Sequence, residues 1–258
     1  MLVKVVPDTE TRVRIAADGR SLDEADVKLV ANPYDEYALE EALRIVEKTG
    51  PGSVTVLTLG DDRAQPVLRQ CLAMGADRAV LLADAAFSGG DGLATARALA
   101  AAARAIGFDL VLAGKQGVGH DRSMVPVMVA EILDLPHAAV VTKVDLVDGK
   151  ALCRREIEGG VEVVETALPA VITAQKGLNE PRYASLKGIM AAKKKPIDVW
   201  GPEKLGLPAD AVGERGSAER WAKLELPPPR AAGKTLKGDA REIAGELVRL
   251  LSEEAKVI

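Results

Sequence analysis

The chain has 258 residues, 48% hydrophobic and 28% charged, with mean hydropathy +0.06. That allows one large α/β domain with an appendage or two small domains, and it excludes wholesale disorder. Thirty-four basic against 38 acidic residues give a net charge of −4, which excludes a global cationic field for nucleic acid or anionic lipid.

No apolar run approaches the roughly 20 residues that span a bilayer, so a soluble globular protein is expected. Met1–Val6 is too short for the apolar part of a signal peptide and reaches Asp8 without a small-residue cleavage site, which predicts a cytoplasmic location. Cys71 and Cys153 form no CxxC pair, and with only His120 and His137 beside them they make poor material for a zinc site or iron–sulfur cluster. Buried structural thiols are expected.

The first two-thirds alternates short apolar runs with amphipathic ones, as a parallel sheet with crossover helices requires. Strands are predicted over Leu2–Val6, Val54–Leu59, Ala79–Leu82 and Leu110–Ala113. Helices are predicted over Glu36–Lys48, Arg63–Met74, Asp91–Ile106 with Asp91 as N-cap, and Met124–Leu135. The strands lack strict alternation, as expected when both faces are buried.

After Pro136 the pattern changes. Ala138–Val147, Leu152–Glu158 and Val161–Thr166 read as an antiparallel flap turning at Gly159-Gly160, and Pro169–Thr173 as one more short strand. Beyond Ile197, glycines and the triple Pro227–Pro229 punctuate a stretch without period, read as an extended arm. It ends in a helix capped by Asp239, with Ile243, Leu247, Leu250 and Leu251 on one stripe. The fold class is therefore α/β: a three-layer Rossmann-like parallel sheet with helices on both faces, an antiparallel flap and an extended C-terminal arm ending in a helix. Residues 1–197 are expected to form one α/β domain, and 198–258 the arm, which docks on its own core or on a partner.

The most ligand-like segment is Gly114-Lys115-Gln116-Gly117-Val118-Gly119-His120-Asp121-Arg122-Ser123, between a strand and a helix. Its glycines let backbone N–H groups converge beside a helix N-terminus, the geometry that holds phosphate; tight turns alone also account for them. It is neither a G-x-G-x-x-G fingerprint nor a Walker loop. Asn32-Pro33-Tyr34-Asp35 is a second candidate, because Pro33 biases Asn32 to an extended conformation and frees its amide to read a polar edge such as adenine; the plain reading is a helix start. Lys193–Lys195 reads as a solvated basic run, and seven aromatic residues give little for a nucleic-acid stacking surface. No Ser/His/Asp, paired-carboxylate or metal-ligand arrangement can be assembled.

The segments Arg154–Glu162 and Leu168–Thr173, followed by Leu178-Asn179-Glu180-Pro181-Arg182-Tyr183-Ala184-Ser185-Leu186, Ile189-Met190 and Ala192–Ile197, resemble the signature of the electron-transfer flavoprotein β subunit. Asn32-Pro33, Ala73–Arg78 and Gly114-Lys115-Gln116 match the family's motifs in the same order. The resemblance implies an electron carrier rather than an enzyme: one half of a heterodimer whose α subunit carries most of the contacts to a redox-active FAD. The β subunit would bury a structural AMP, held by Leu2, Asn32, Pro33, Tyr34, Asp35, Leu59 and the loop from Gly114 to Met124 and Val125. Some relatives bifurcate electrons and hold a second FAD there instead. The family accepts electrons from flavin dehydrogenases, such as acyl-CoA dehydrogenases, and passes them to a quinone oxidoreductase. Leu186 would anchor the dehydrogenase, with Arg182, Tyr183, Ile189 and Met190 around it. By spacing alone, Leu186, Ile189 and Met190 read as the buried face of a short helix capped by Ser185. Glu156 would pair with the α subunit and bias a mobile flavin domain; by itself it reads as a solvent-facing strand residue.

Overall fold

The computed structural model describes residues 1–230 and 232–258. Two compact units follow one another, Met1–Ala222 and Lys223–Ile258.

The first unit is a three-layer α/β structure. Strands β3 (Thr55–Leu59), β4 (Arg78–Leu82) and β10 (Ile197–Trp200) lie parallel in the order β10-β4-β3. A second group has the order β5-β9-β6-β7-β8, formed by β5 (Leu110–Gly114), β6 (His137–Val147), β7 (Lys150–Ile157), β8 (Gly160–Ala167) and β9 (Ala170–Ala174). The predicted first strand does not form as one piece. Met1–Val3 stitches the two groups together: Leu57 N–H donates to Met1 O at 2.8 Å, Val3 N–H to Leu57 O at 2.9 Å, and Leu2 N–H to Leu112 O at 2.8 Å. The chain then turns away, and β1 (Val5–Pro7) pairs antiparallel with β2 (Leu29–Ala31), a strand too short to leave a periodic signal.

Side chains alternate between two cores. Val3, Val56, Ala79, Leu81, Leu112 and Ile172 face helices α1 (Pro33–Thr49) and α2 (Gln65–Met74), while Leu2, Leu57, Val80, Leu82, Val111 and Val171 face α3 (Gly92–Ile106) and α4 (Val125–Leu133). Both faces of the strands are thus buried, which is why their sequences run apolar rather than alternating. Cys71 and Cys153 are buried and free, as expected, and burial pushes their thiols up to about 12 and about 11.

The flap folds as predicted, β6 to β7 to β8 antiparallel, with Gly159 taking φ +78° in the last turn. The stretch from Gly201 to Ala222, the first part of the extended arm, folds back onto its own core and belongs to the first unit, with Trp200 and Val212 buried beside α3. The second unit holds α6 (Ala240–Arg249), whose start is fixed by a capping box between Asp239 and Glu242.

Candidate functional site

The carboxyl ends of β3 and β5, the segment Leu2–Val5 and the starts of α1, α3 and α4 enclose a cleft of about 680 Å³. Open α/β sheets hold ligands at this end.

Its floor is organised by Asp35, in the first turn of α1. One carboxylate oxygen accepts the Lys4 N–H at 2.6 Å and the other the Gly114 N–H at 2.7 Å. Burial pushes this carboxyl up to about 6, against the opposing pull of those amides and of Asn32. Gly114 has no room for a side chain, because a Cβ there would stand 2.6 Å from Tyr34 Cβ. Asn32 is fully buried. Its Nδ2 donates to Gln116 O at 2.8 Å and its Oδ1 accepts Val118 N–H at 3.1 Å. The amide expected to be free for a base edge is instead committed to clipping down the glycine loop.

That loop makes a turn closed by Asp121 N–H to Gly117 O at 2.9 Å, and places Asp121 and Ser123 in the left-handed region at φ +51° and +53°. It delivers the chain to α4, whose N-cap, Met124, has no side-chain acceptor to offer its first-turn amides. Lys4, His120 and Arg122 border the same end of the cleft. Lys4 Nζ lies 3.3 Å from His120 Nδ1. Burial, then the charges of Lys4 and Arg122, hold the imidazole below its ordinary range, which favours the neutral ring that such a contact needs.

One wall comes from the segment after β10. Asp91, at the N-cap of α3, accepts from Ala94 N–H at 2.8 Å and also from Ala218 and Glu219 N–H at 2.7 and 2.9 Å. This brings Glu219 into an ion pair with Arg122, whose guanidinium sits 5.3 Å over the Trp221 ring. His120 meets the same indole edge-on at 5.9 Å.

Of the residues predicted for the ligand, Leu2, Asn32, Asp35, Leu59, Gly114, Gln116, Gly117, His120, Arg122, Ser123, Met124 and Val125 line the cleft. Pro33, Tyr34, Lys115, Val118, Gly119 and Asp121 stand outside its lining and shape it from behind; Lys115, for example, places its ammonium 4.9 Å over the Tyr34 ring. Sequence reasoning missed Lys4, Arg20, Glu214, Glu219 and Trp221. The available signal was Asp91 after Gly89-Gly90, a helix cap with acceptor capacity to spare.

A second feature lies on α5 (Leu186–Ala192), whose start is capped by Ser185 Oγ accepting Gly188 N–H at 3.0 Å. The buried face expected from spacing is not what forms. Leu186 is 84% exposed, Tyr183 98% and Met190 62%, with Ile189 also exposed. Arg182, by contrast, turns inward onto Glu40 and Glu47. Burial would raise the Glu40 carboxyl, but hydrogen bonds from Arg182 and Arg44 outweigh it and hold the group below the usual carboxylate range. Glu156 is exposed on β7, opposite Val161 of β8, in a flap that also exposes Ile157 and Val163.

Residues 20–205 match the model of the electron transfer flavoprotein domain. The chain belongs to the electron-transfer flavoprotein family. It is 41% identical over 260 residues to the electron transfer flavoprotein subunit beta of Bacillus subtilis, covering 100% of this chain and 98% of the relative. The subunit beta of Thermoanaerobacterium thermosaccharolyticum is 40% identical over 253 residues, covering 98% and 96%. The Caffeyl-CoA reductase-Etf complex subunit CarD of Acetobacterium woodii is 40% identical over 253 residues, covering 97% and 96%. Electron-transfer flavoprotein subunits are carriers rather than enzymes, and the β-subunit likeness implies an α subunit as partner. Among the described residues no helix is long and apolar enough to cross a membrane, and no group of three or more His, Cys, Asp or Glu is placed to hold a metal ion.

Proposed function

We propose that this chain is the β subunit of a cytoplasmic, heterodimeric electron-transfer flavoprotein. It buries AMP in the cleft and docks flavin dehydrogenases, such as those acting on acyl-CoA, so that FAD held mainly by the α subunit shuttles electrons toward a quinone oxidoreductase. The observation that carries the AMP assignment is the pairing of chemistries in one cleft: apolar Leu2 and Leu59 at the floor, and the Gly117–Ser123 loop leading into the start of α4 beside Arg122. The first suits a base, the second a phosphate. The flavin supplies the redox chemistry when bound, while this chain positions it and its partners. Leu186 is the dehydrogenase anchor, Glu156 biases the orientation of the flavin domain, and the unit Lys223–Ile258 docks on the α subunit.

A second reading places another FAD in the cleft, as in electron-bifurcating relatives. Its volume of about 680 Å³, roomier than a mononucleotide needs, favours it. Co-purification with the α subunit followed by denaturing extraction tests both. One FAD and one AMP per heterodimer supports the leading reading; two FAD and no AMP supports the second. A heterodimer releasing no nucleotide beyond a single FAD would overturn both assignments of the cleft.

A further inference from the structure

The docking feature on α5 is a seven-residue helix with its large apolar side chains, Leu186, Ile189 and Met190, in solvent. A helix so short is marginal on its own, because nucleation costs more than a single turn returns. Its Gly188 seats on the backbone of α2 at Ala73, and two polar struts, one at each end, fix it further.

The N-terminal strut is built on α1. Glu40 is buried although it carries a charge, with its side chain only 3% exposed. Arg182 Nε donates to Glu40 Oε2 at 2.7 Å, the Arg182 backbone N–H reaches the same oxygen at 3.1 Å, and Nη2 reaches Oε1 at 3.2 Å. The guanidinium then extends to Glu47 through two more bonds, at 2.5 and 3.0 Å. Arg44 Nε holds the other side of Glu40 at 2.6 Å. One turn earlier in the chain, Asn179 Nδ2 donates to Tyr37 O at 2.9 Å. The C-terminal strut is built on α2, where Arg69 donates to the carbonyls of Ala192 and Lys195, and Lys195 Nζ reaches Ala76 O at 2.6 Å. Between these anchor points Tyr183, Leu186, Ile189 and Met190 project, while Ala184 packs on the core and Gly188 lies so close to α2 that a Cβ there would collide with Ala73 O.

A buried ion pair is seldom retained for stability alone, since apolar packing of similar volume does as well; fixing a geometry is its better-attested use. Four bonds from the Arg182 guanidinium go to Glu40 and Glu47, so most of its donor capacity is spent within this chain. We infer that Glu40 and Arg182 are positioning residues, a strut rooted in the buried Glu40 carboxylate that presents Leu186 preformed to the dehydrogenase. This rests on the docking role proposed above for Leu186. Without the strut the partner would have to order the loop during association, which weakens encounter without altering the flavin.

The test uses the flavin-loaded heterodimer as electron acceptor for an acyl-CoA dehydrogenase and its substrate, with KM and kcat measured separately. Glu40→Gln and Arg182→Gln are each expected to raise KM for the heterodimer about tenfold, the cost of ordering a few side chains on binding, with kcat within about twofold. Flavin content and reduction by dithionite should match the parent, a readout that general misfolding would move. In a Leu186→Ala background, neither substitution should raise KM further. KM within about twofold of the parent for both strut variants, while Leu186→Ala raises it, would overturn the inference and leave docking intact. So would an equal rise with and without Leu186. A silent Leu186→Ala would refute the docking reading itself and the strut with it. If Glu40→Gln fails to assemble, Arg182→Gln, altered at a partly exposed side chain, carries the test alone.

Discussion

Gly114→Ala probes the point where the floor of the cleft is closest-packed. A Cβ there would sit 2.6 Å from Tyr34 Cβ and 2.7 Å from the Tyr34 carbonyl carbon, and would also meet Asp35 Oδ1. The carboxylate tip is pinned by the Lys4 and Gly114 amides and the other two neighbours are backbone and the root of a side chain, so the start of α1 has to move away from the end of β5. Overpacking of this kind costs about 1–3 kcal/mol. The same shift stretches the 2.7 Å bond from Gly114 N–H to a buried carboxylate, and a hydrogen bond to a charged group contributes about 1.5–3 kcal/mol. Together the loss is about 3–6 kcal/mol, or a fall in Tm of roughly 6–24 °C for a chain of this size. Gly119→Ala is the control: its φ of +92° strains any side chain, but nothing lies within 4 Å of the added carbon, so it should cost only about 1–2 kcal/mol. Thermal and urea unfolding of both variants measures the difference. Equal losses, or a Gly114→Ala protein within about 1 kcal/mol of the parent, would refute the close-packed floor.

Asp35 predicts a pH dependence. Its carboxyl stands near 3.8 in the unfolded chain and is raised to about 6 in the fold, so its stabilising contribution is complete below 3.8 and is lost as pH rises through about 6, a span worth about 3 kcal/mol. Urea titrations of parent and Asp35→Asn at pH 4 and 7.5 should therefore converge or cross as pH rises; a constant gap would count against the shift. Leu186→Ala removes a side chain that is 84% exposed, so stability should change by less than about 0.5 kcal/mol while electron transfer from the dehydrogenase falls sharply in stopped-flow flavin bleaching. Glu156→Ala should leave the heterodimer assembled but change both its small-angle scattering profile and its transfer kinetics; identical curves and rates would remove the orienting role.

The parallel core was legible because its strands are buried on both faces: Val56, Leu57, Val80 and Leu81 fall in short apolar runs between amphipathic helices, the pattern of a covered sheet. The caps Asp91, Ser185 and Asp239 were legible because capping is a local act between residues two or three apart. What stayed hidden was decided at long range. Whether Val5 continues the strand begun at Leu2 depends on β2, three residues that carry no period. Asn32 read as a free amide because its partners, Gln116 and Val118, lie more than eighty positions away. Trp221 and Glu219 lay in a stretch of glycine and proline without rhythm, and what draws them to the cleft is a carboxylate at Asp91. The 186/189/190 spacing gives a helical face correctly, but periodicity does not say whether that face meets its own core or another molecule.

The seam made by Met1–Val3 bears on how the molecule comes into being. The carbonyl that Leu2 must reach, on Leu112, is translated 110 residues after it. Its neighbours follow the same order, since β5 waits for β9 and β4 for β10. Contacts so distant along the chain close slowly and leave strand edges open in the interval. The outer edge of β4 has no partner until β10, at Ile197–Trp200, has been made, so completion of the sheet belongs to the last quarter of synthesis.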